Sequence, residues 1–550
     1  MNQSKVTLFS KPNCQYCDRA KVILDYVGVK YQKYDVTANQ RNADASVYFS
    51  GVTTVPQIFI GDYHINGAED LEQLEKSGRL EQLVKMDRES LSFDTLSDEE
   101  LHQGAADFTL CNYLLKSDGS RDKDDESLII LRFCQELFGF WPNTYAYLYN
   151  WSEAYKLFYH CHLLSATENI KQVMGLKNLS AIGYSTSHAH GCSYCQVHTV
   201  GISNKGEDYQ NMAEMLKQSR QGKTVENNPF NQFETALARL AADATLNQVE
   251  NNFAEHIETI AKNINIAPEI DVDRSIEATS LFAASFGFLN VFNELTGLEI
   301  EGDMARQVGE DAGIEGGRHG VGSSNPDNLN YKISQANLSI EEIAARYDSA
   351  IADLDLYVEQ EFGFFPTWIH QWSQLTRKRY TYFYSELMGN REHSLISAEL
   401  KHLMARVSAI ARGHDYLAAV EGYMAYNVAA DKELAIKRIS QCFIAATDRE
   451  DTSDIFNPKE QAALKLAWLS AQIPLTTPYR FIKIVIELYQ PQELIHLIVV
   501  CSVASMVQRF VAISQPEIET EVAQFYTQHF IETDVLRLRY PLPLELEVIH

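Results

Sequence analysis

Positive charge is what this sequence has too little of. Lys and Arg number 47 against 74 Asp and Glu, which leaves a net charge of −27 with neutral His. Nucleic acids and anionic membrane surfaces bind proteins through basic patches, so this excess of acid argues against both as partners. Solubility is the simplest interpretation of the charge.

An uninterrupted apolar run of membrane-spanning length is also missing. The most apolar stretch, residues 484–500, is broken by polar side chains, namely Glu487, Gln490, Gln492, Glu493 and His496. The chain starts at once with a strand pattern at residues 5–9 and shows no apolar signal core. We therefore expect no transmembrane helix and a cytoplasmic location.

Cysteine is sparse, with nine residues in 550. An odd, sparse count in a long chain excludes a disulfide framework. Four cysteines form two CxxC pairs, and such a pair in a reducing compartment is usually catalytic or metal-binding. The other five lie in apolar helical patterns and are predicted to be core residues: Cys111, Cys134, Cys161, Cys442 and Cys501.

The chain is too long for one core, so we expect about three domains. Residues 1–86 alternate between strand and helix patterns and predict a small α/β domain. We expect strands at residues 6–9, 30–36 and 55–60, a hairpin return at 62–65, and helices at 15–27 and 69–77.

Helical patterns dominate after residue 86, and they repeat. The motif FGFWP at residues 138–142 returns as FGFFP at 362–366, about 220 residues further along. Gly191-Cys192-Ser193-Tyr194 returns in the same way as Gly413-His414-Asp415-Tyr416. We infer two all-α copies, at residues 95–302 and 331–550. The Gly-rich stretch 302–330 between them is interpreted as a linker or a long ordered loop.

The first thiol site lies between the first strand and the first helix. A thiolate at a helix N-terminus is stabilised by free backbone N–H groups and the helix dipole, and Lys11 adds a positive charge. Cys14 is therefore the expected attacking thiol and Cys17 the resolving one. A cis proline at Pro56 would present the Val55 backbone to a substrate. Zinc would need two further ligands, and no second Cys or His pair occurs in this domain.

The motifs KPNCQYC, TVPQIFI and NGAEDL resemble those of the glutaredoxin family across nearly the whole domain. The resemblance implies a thioredoxin-like fold and glutathione as reductant. It places glutathione against Lys11, Tyr16, Val55 and Pro56, with its γ-glutamyl end near Ala68, Glu69 and Asp70. Departures from the family pattern occur at Gln15, Asn66 and Ala68, and we expect them to tune the redox potential without abolishing the chemistry. An inert thioredoxin-like adaptor is the alternative.

The second thiol site is Cys192, Cys195 and His198, spaced to share one helix face. Two thiols and a proton-accepting imidazole are the minimum for two-electron reduction of a peroxide or disulfide, and either cysteine can be the attacker. Two alternatives stay open. The first is a zinc site formed by these three residues with His188 or His190. The second is that the cysteines have only a structural role.

The run GCxYCxxH in this helical context resembles the alkylhydroperoxidase-D and carboxymuconolactone-decarboxylase superfamily, closest to its peroxidase-related branch. The resemblance implies an all-α fold, Cys192 and Cys195 as the redox pair, and His198 as the proton-relay base. The family's relay glutamate is replaced here by Ser180. His188 or His190 would have to substitute for it.

The second copy lacks the thiols. His414, Leu417 and Val420 stand at the positions of Cys192, Cys195 and His198, and His402 stands at the relay position. The second copy is therefore interpreted as a structural partner. Because domains pair in this family and small members form trimers of dimers, the resemblance implies a homo-oligomer, with a trimer as the expected form.

These observations predict an electron relay. Glutathione reduces the Cys14–Cys17 disulfide, which reduces Cys192–Cys195, which reduces a hydroperoxide or a partner protein such as a peroxiredoxin. No metal or nucleotide is expected. The alternatives are a binding or scaffold module switched by the first domain, and a non-redox decarboxylase, for which a thiol pair is unnecessary.

Overall fold

The computed structural model describes residues 6–117, 126–127, 129–131, 134, 140–162, 171–203, 230–264, 271–306, 314, 317–322, 340–373, 377–543 and 546. Its only sheet among these residues has four strands in the order β2-β1-β3-β4. The strands are β1 Val6–Ser10, β2 Tyr31–Asp35, β3 Gln57–Ile60 and β4 Tyr63–Asn66. β1 is parallel to β2 and antiparallel to β3, and β3 is antiparallel to β4.

The helices of this first domain flank the sheet. They are α1 Gln15–Tyr26, α2 Gln40–Ser50, α3 Ala68–Lys76 and α4 Arg79–Val84. The predicted α/β domain is confirmed, and every expected strand and helix is present within a few residues. The sequence patterns missed α2, because its buried side chains include Asp44, Ser46 and Ser50 and form no apolar stripe.

The described residues beyond the first domain are mostly helical. The first group is α5 Asp98–Ala105, α6 Asn143–Leu148, α7 Ser152–Phe158, α8 Lys171–His190, α9 Ser193–Ser203, α10 Gln232–Leu246, α11 Val249–Asn263, α12 Val272–Thr296 and α13 Gly302–Met304. The second group is α14 Ile340–Ser349, α15 Leu354–Phe362, α16 Thr367–His370, α17 Arg377–Met388, α18 Ala398–Arg412, α19 Asp415–Val428, α20 Lys432–Ala446, α21 Pro458–Ser470, α22 Tyr479–Leu488, α23 Pro491–Ser514, α24 Thr520–His529 and α25 Val535–Arg539.

The two longest helices, α12 and α23, pack against each other in the centre of the core. Each is long and apolar enough to cross a membrane by length and composition, but their most apolar windows are 78% and 94% buried inside the protein. Ser505 Oγ on α23 donates a hydrogen bond of 2.9 Å to Gly287 O on α12. The contact between these two helices therefore joins the two halves of the helical region.

The end of the chain packs onto the first domain. Tyr540 and Leu542 belong to the same apolar cluster as Val6, Leu8 and other core residues of that domain. Tyr540 OH donates to Ile65 O at 2.7 Å, and its carbonyl accepts from Arg79 Nη2 at 2.6 Å. Residues near the end of the chain thus complete the core of the α/β domain.

Candidate redox site

Cys14 lies where the chain leaves β1 and enters α1. It is the N-cap of that helix, and its Sγ accepts the backbone N–H of Cys17 at 3.1 Å. Cys14 and Cys17 are joined by a disulfide, with Cys14 slightly exposed and Cys17 fully buried. Cys14 is thus the more accessible of the two sulfurs, and its role as the attacking thiol stays a prediction.

The surroundings of Cys14 leave one side open. The Val55–Pro56 peptide bond is cis, and Cys14 Sγ is 3.9 Å from Val55 O. Lys11 and Tyr16 are exposed beside it, while Pro56 is buried. The residues that the resemblance places against glutathione therefore border one accessible face of the site.

The γ-glutamyl end of the expected glutathione site is partly engaged by the helical region. Ala68 is buried at the start of α3, and Glu69 is exposed next to it. The carboxylate of Asp70 is paired with Arg539 Nη1 at 2.5 Å. This end of the expected glutathione site is therefore bordered by an arginine of α25 as well as by the first domain.

Cys192 starts the second site, between α8 and α9. Gly191 connects these helices with a φ of 97°, a conformation that glycine adopts most readily. Cys192 Sγ accepts the backbone N–H of Cys195 at 3.4 Å, so it caps α9 much as Cys14 caps α1. Cys192 and Cys195 are both buried free thiols.

The sulfur of Cys195 receives a hydrogen bond from α12. Asn293 Nδ2 donates to Cys195 Sγ at 3.2 Å. Thr144 Oγ1 donates to the carbonyl oxygen of the same amide at 2.8 Å, which fixes its orientation. A fixed N–H donor therefore points at the Cys195 sulfur, where negative charge develops when a thiol attacks.

His198 lies in the same cluster with both ring nitrogens engaged. Nδ1 is 2.9 Å from Tyr194 O, and because a carbonyl only accepts, Nδ1 carries the proton. Nε2 lies 2.9 Å from the buried Glu301 carboxylate, an ion-pair distance. Burial raises the pKa of Glu301, but His198 and the Asn143 N–H outweigh it, so the pKa is lowered overall. His198 as relay base stays a prediction.

Cys192 faces a different imidazole. His319 Nε2 is 4.0 Å from Cys192 Sγ and 2.9 Å from Glu294 Oε1, and its Nδ1 is 2.7 Å from Leu298 O. The pKa of Cys192 is raised well above its ordinary value, mainly by burial, then by its neighbour Cys195 and by the negative charge of Glu294. Deprotonation of Cys192 therefore needs a base, and His319 is placed to be one.

Three functional residues of this cluster were not predicted from the sequence: Glu294, Glu301 and His319. Ser180, at the relay position, donates its hydroxyl to Thr199 O at 3.0 Å, and His198 has Glu301 as its carboxylate partner instead. His188 lies beside Gln196, with 3.2 Å between its Nδ1 and Oε1. The sequence offered one signal for the two glutamates: each is an isolated acid at or just after the end of the apolar helix α12.

The Gly-rich stretch contributes directly to the site. Its described part, residues 317–322, is held by Ile300, whose N–H donates to Gly320 O and whose carbonyl accepts from Gly322 N, both at 2.8 Å. Of the two interpretations of this stretch, the ordered loop therefore fits residues 317–322. The predicted end of the first helical copy at residue 302 would leave His319 outside the copy that contains Cys192, the cysteine that it faces.

A short segment, residues 474–477, contacts both thiol domains. Thr476 Oγ1 donates to Gly51 O of the first domain at 3.2 Å. On the other side, a Cβ built on Gly191 would lie 3.6 Å from Pro474 Cβ. Arg318, next to His319, donates to Leu475 O at 2.9 Å. The loop that precedes Val55 is thus one segment away from the start of the second CxxC.

A CxxC that caps a helix beside a cis proline, on this mixed four-stranded sheet, defines a thiol–disulfide oxidoreductase domain. The glutaredoxin family model matches residues 6–65. Glutaredoxin 3 of Escherichia coli strain K12 is 40% identical over 82 residues, which cover 15% of this chain and 99% of that protein. The chain belongs to the glutaredoxin family through this domain.

Two further relatives match the same region. Glutaredoxin 1 of Rickettsia prowazekii is 38% identical over 90 residues, covering 16% of this chain and 95% of that protein. The solution structure of glutaredoxin from Brucella melitensis is 36% identical and covers 16% of this chain and 92% of that one, with a TM-score of 0.15.

Proposed function

We propose that this protein is a glutathione-dependent electron relay, in which the glutaredoxin domain reduces the disulfide formed by Cys192 and Cys195 in the helical region. The observation that carries the proposal is the segment 474–477, which hydrogen-bonds both to Gly51 of the glutaredoxin domain and to Arg318, the neighbour of His319 in the second site. Fusion of the two domains also holds donor and acceptor at a high effective concentration.

Each step of the relay balances. The Cys14 thiolate attacks the Cys192–Cys195 disulfide, and Cys17 then resolves the mixed disulfide, which leaves Cys192 and Cys195 as thiols. Two glutathione molecules reduce Cys14–Cys17 and leave as glutathione disulfide. For a hydroperoxide ROOH, the net reaction is two glutathione plus ROOH giving glutathione disulfide, ROH and water.

The peroxide step uses the two sulfurs differently. Cys195, which accepts the Asn293 amide, attacks the peroxide oxygen, so that the O–O bond breaks and a sulfenic acid and ROH form. The Cys192 sulfur then displaces hydroxide to form the disulfide. His319 takes the Cys192 proton, and the His198–Glu301 pair supplies a proton to the leaving oxygen.

Two observations support the proposal that the helical region consists of two alkylhydroperoxidase-D-like copies. Helices α8 and α9 turn at Gly191, and α18 and α19 turn at Gly413, which also has a positive φ. The long helices α12 and α23 each follow later and pair with one another. The second copy keeps a buried polar trio without thiols, in which His402 and Tyr384 both contact Glu421. We expect the second copy to support the first one structurally. We also expect the protein to be located in the reducing cytoplasm and to form a homo-oligomer.

A trapping experiment tests electron transfer between the sites. A Cys17→Ser variant cannot resolve the mixed disulfide, so Cys14 stays bound to Cys192 or Cys195, and mass spectrometry of the digested chain detects the linked peptides. Two controls are made in the same Cys17→Ser background. Adding Cys14→Ser should prevent the crosslink, and adding Cys501→Ser should leave it unchanged. If no crosslink joins Cys14 to either thiol, the relay is wrong.

Hydroperoxide turnover coupled to NADPH through glutathione reductase tests the final step. We expect the wild-type chain to turn over cumene hydroperoxide and both Cys192→Ser and Cys195→Ser to lose this activity. Equal slow rates in all three would favour the second candidate, a binding module switched by the glutaredoxin domain. The complete burial of Cys192 is the observation that favours that candidate.

A further inference from the structure

Three potential metal ligands converge in the core of the helical region. Cys192 Sγ, a carboxylate oxygen of Glu294 and a ring nitrogen of His319 all lie within 4.8 Å of one another, and all three residues are buried. They come from three separate parts of the chain: the turn before α9, the end of α12 and the segment 317–322. Their meeting is therefore a property of the tertiary fold.

The hydrogen bonds of His319 call for an extra positive charge at this point. Its Nδ1 lies 2.7 Å from Leu298 O and must carry the proton, because a carbonyl only accepts. In a neutral imidazole, Nε2 then has a lone pair, which faces Glu294 Oε1 at 2.9 Å. Two lone pairs at this distance repel unless a proton or a cation lies beside them.

The charges point the same way. Glu294 is a buried carboxylate, and the thiol of Cys192 lies next to it. A thiolate beside this carboxylate would place two negative charges together in the core without compensation. A divalent cation would neutralise both groups and deprotonate the thiol.

We propose that the reduced protein binds Zn²⁺ through Cys192, Glu294 and His319. Sulfur, imidazole and carboxylate donors suit zinc, whereas magnesium and calcium prefer oxygen alone. Bonds of about 2.0–2.3 Å need side-chain movements of only about 1 Å from the present positions. The bond from Nδ1 to Leu298 O is the outer contact that a zinc-bound histidine typically makes.

This ligand set differs from the one that the CxxC motif suggests. His198 was a ligand in the zinc site suggested by the motif, but its ring nitrogens lie against Tyr194 O and Glu301. His319 is the histidine ligand instead. The fourth position is left for water. Because Cys192 is the shared residue, zinc binding and a Cys192–Cys195 disulfide exclude each other. The inference stands without the electron relay.

Cobalt titration tests the site directly. The reference is the full-length chain with Cys14→Ser and Cys17→Ser, fully reduced, so that the glutaredoxin thiols cannot bind metal. We expect one Co²⁺ per chain, a thiolate-to-cobalt charge-transfer band in the near ultraviolet, and displacement by Zn²⁺. Cys192→Ser should abolish the band, and Glu294→Gln and His319→Gln should each weaken binding by more than the roughly 10- to 100-fold that loss of an outer contact costs.

The controls separate the site from other thiols and acids. Cys501→Ser removes a buried thiol on α23, and Glu299→Gln removes an exposed acid close to the segment 317–322; both should bind Co²⁺ as the reference does. Diamide oxidises Cys192 and Cys195 to the disulfide, becomes a hydrazine, and should release the metal. A band that persists in Cys192→Ser and Cys192→Ala, or unchanged affinity in both Glu294→Gln and His319→Gln, overturns the proposal.

Discussion

Cys192 and Cys195 lie three residues apart, yet their sulfurs have different surroundings. Asn293 donates an N–H to Cys195, whereas Cys192 lies near a buried carboxylate and the ring of His319. The two thiols of one CxxC pair are therefore distinct chemical groups. Sequence spacing alone leaves them equivalent, because the groups that distinguish them come from other parts of the chain.

The pH dependence of Cys192 labelling should show this difference. Its pKa is raised well above the ordinary thiol value, so little thiolate is present at neutral pH, and alkylation should accelerate as pH rises through 9 and beyond. Glu294→Gln removes a negative charge and should move the profile to lower pH. Iodoacetamide labelling with mass spectrometry, with chelator present, measures it. Glu299→Gln is the control, and identical profiles for Glu294→Gln and wild type would contradict the assigned cause.

Asn293→Ala should slow the peroxide step. A hydrogen bond to a charged group contributes about 1.5–3 kcal/mol, so we expect kcat for cumene hydroperoxide to fall about 10- to 100-fold. Reduction of a small disulfide by the glutaredoxin domain should be unchanged. Gln508→Ala is the matched control, since this buried amide on α23 bonds to Ser408 and no thiol. A similar loss in both variants would mean that stability alone is affected.

At the scale of elements, the close approach of α12 and α23 depends on a glycine. A Cβ on Gly287 would lie 2.6 Å from Arg509 Cδ and 2.9 Å from Ser505 O, closer than real contacts allow. Arg509 is buried here, with Nε and Nη2 lacking a hydrogen-bond partner in the part of the chain that the structure describes. This crossing therefore has little room to adjust.

Gly287→Ala should destabilise the protein although alanine favours helices. Helix propensity gains about 1 kcal/mol, but overpacking costs about 1–3 kcal/mol, and the second helix backbone cannot move aside easily. We expect a lower midpoint of thermal unfolding. Gly320→Ala, where the added Cβ would be an ordinary 3.5 Å from Glu299 Cγ, should leave the midpoint unchanged. A Gly287→Ala midpoint at or above wild type would show that the crossing relaxes.

The sequence predicts the elements better than it predicts the site. Local patterns were sufficient for the strands, for α1 and for Cys14 at its helix start, because these depend on neighbours in sequence. The cis Val55–Pro56 bond was also expected. Glu294, Glu301 and His319 were missed because their importance comes from contacts over long separations, such as Cys192 with His319. A Gly-rich segment gives no periodic signal that its one imidazole is buried.

At the scale of the whole molecule, the last helix joins the first domain to the helical region. Arg539 donates to Ile410 O in α18 and pairs with Asp70 in α3. Tyr540 is fully buried in the first domain's core. The position of the glutaredoxin domain relative to the second thiol site is thus maintained by residues near the end of the chain.

Arg539→Met should separate the relay from the glutaredoxin chemistry. Losing the pair with Asp70 loosens the domain contact, which lowers the effective concentration of Cys14 near Cys192. We expect slower transfer to Cys192–Cys195 in single-turnover quench experiments and little change toward a small disulfide. Arg537→Met removes an exposed arginine of the same helix that pairs with Glu532, and should behave as wild type. Equal transfer rates in the two variants would contradict this role.

The pairing of α12 with α23 has a consequence for biosynthesis. During translation, α12 leaves the ribosome well before the apolar helix that covers it, and at 5–20 residues per second the interval is about 10–40 s. Residues 535–542, which complete the first domain's core, emerge later still. The apolar surface of α12 is therefore exposed on the nascent chain for that time. We expect a chaperone to bind it until the second half has been made.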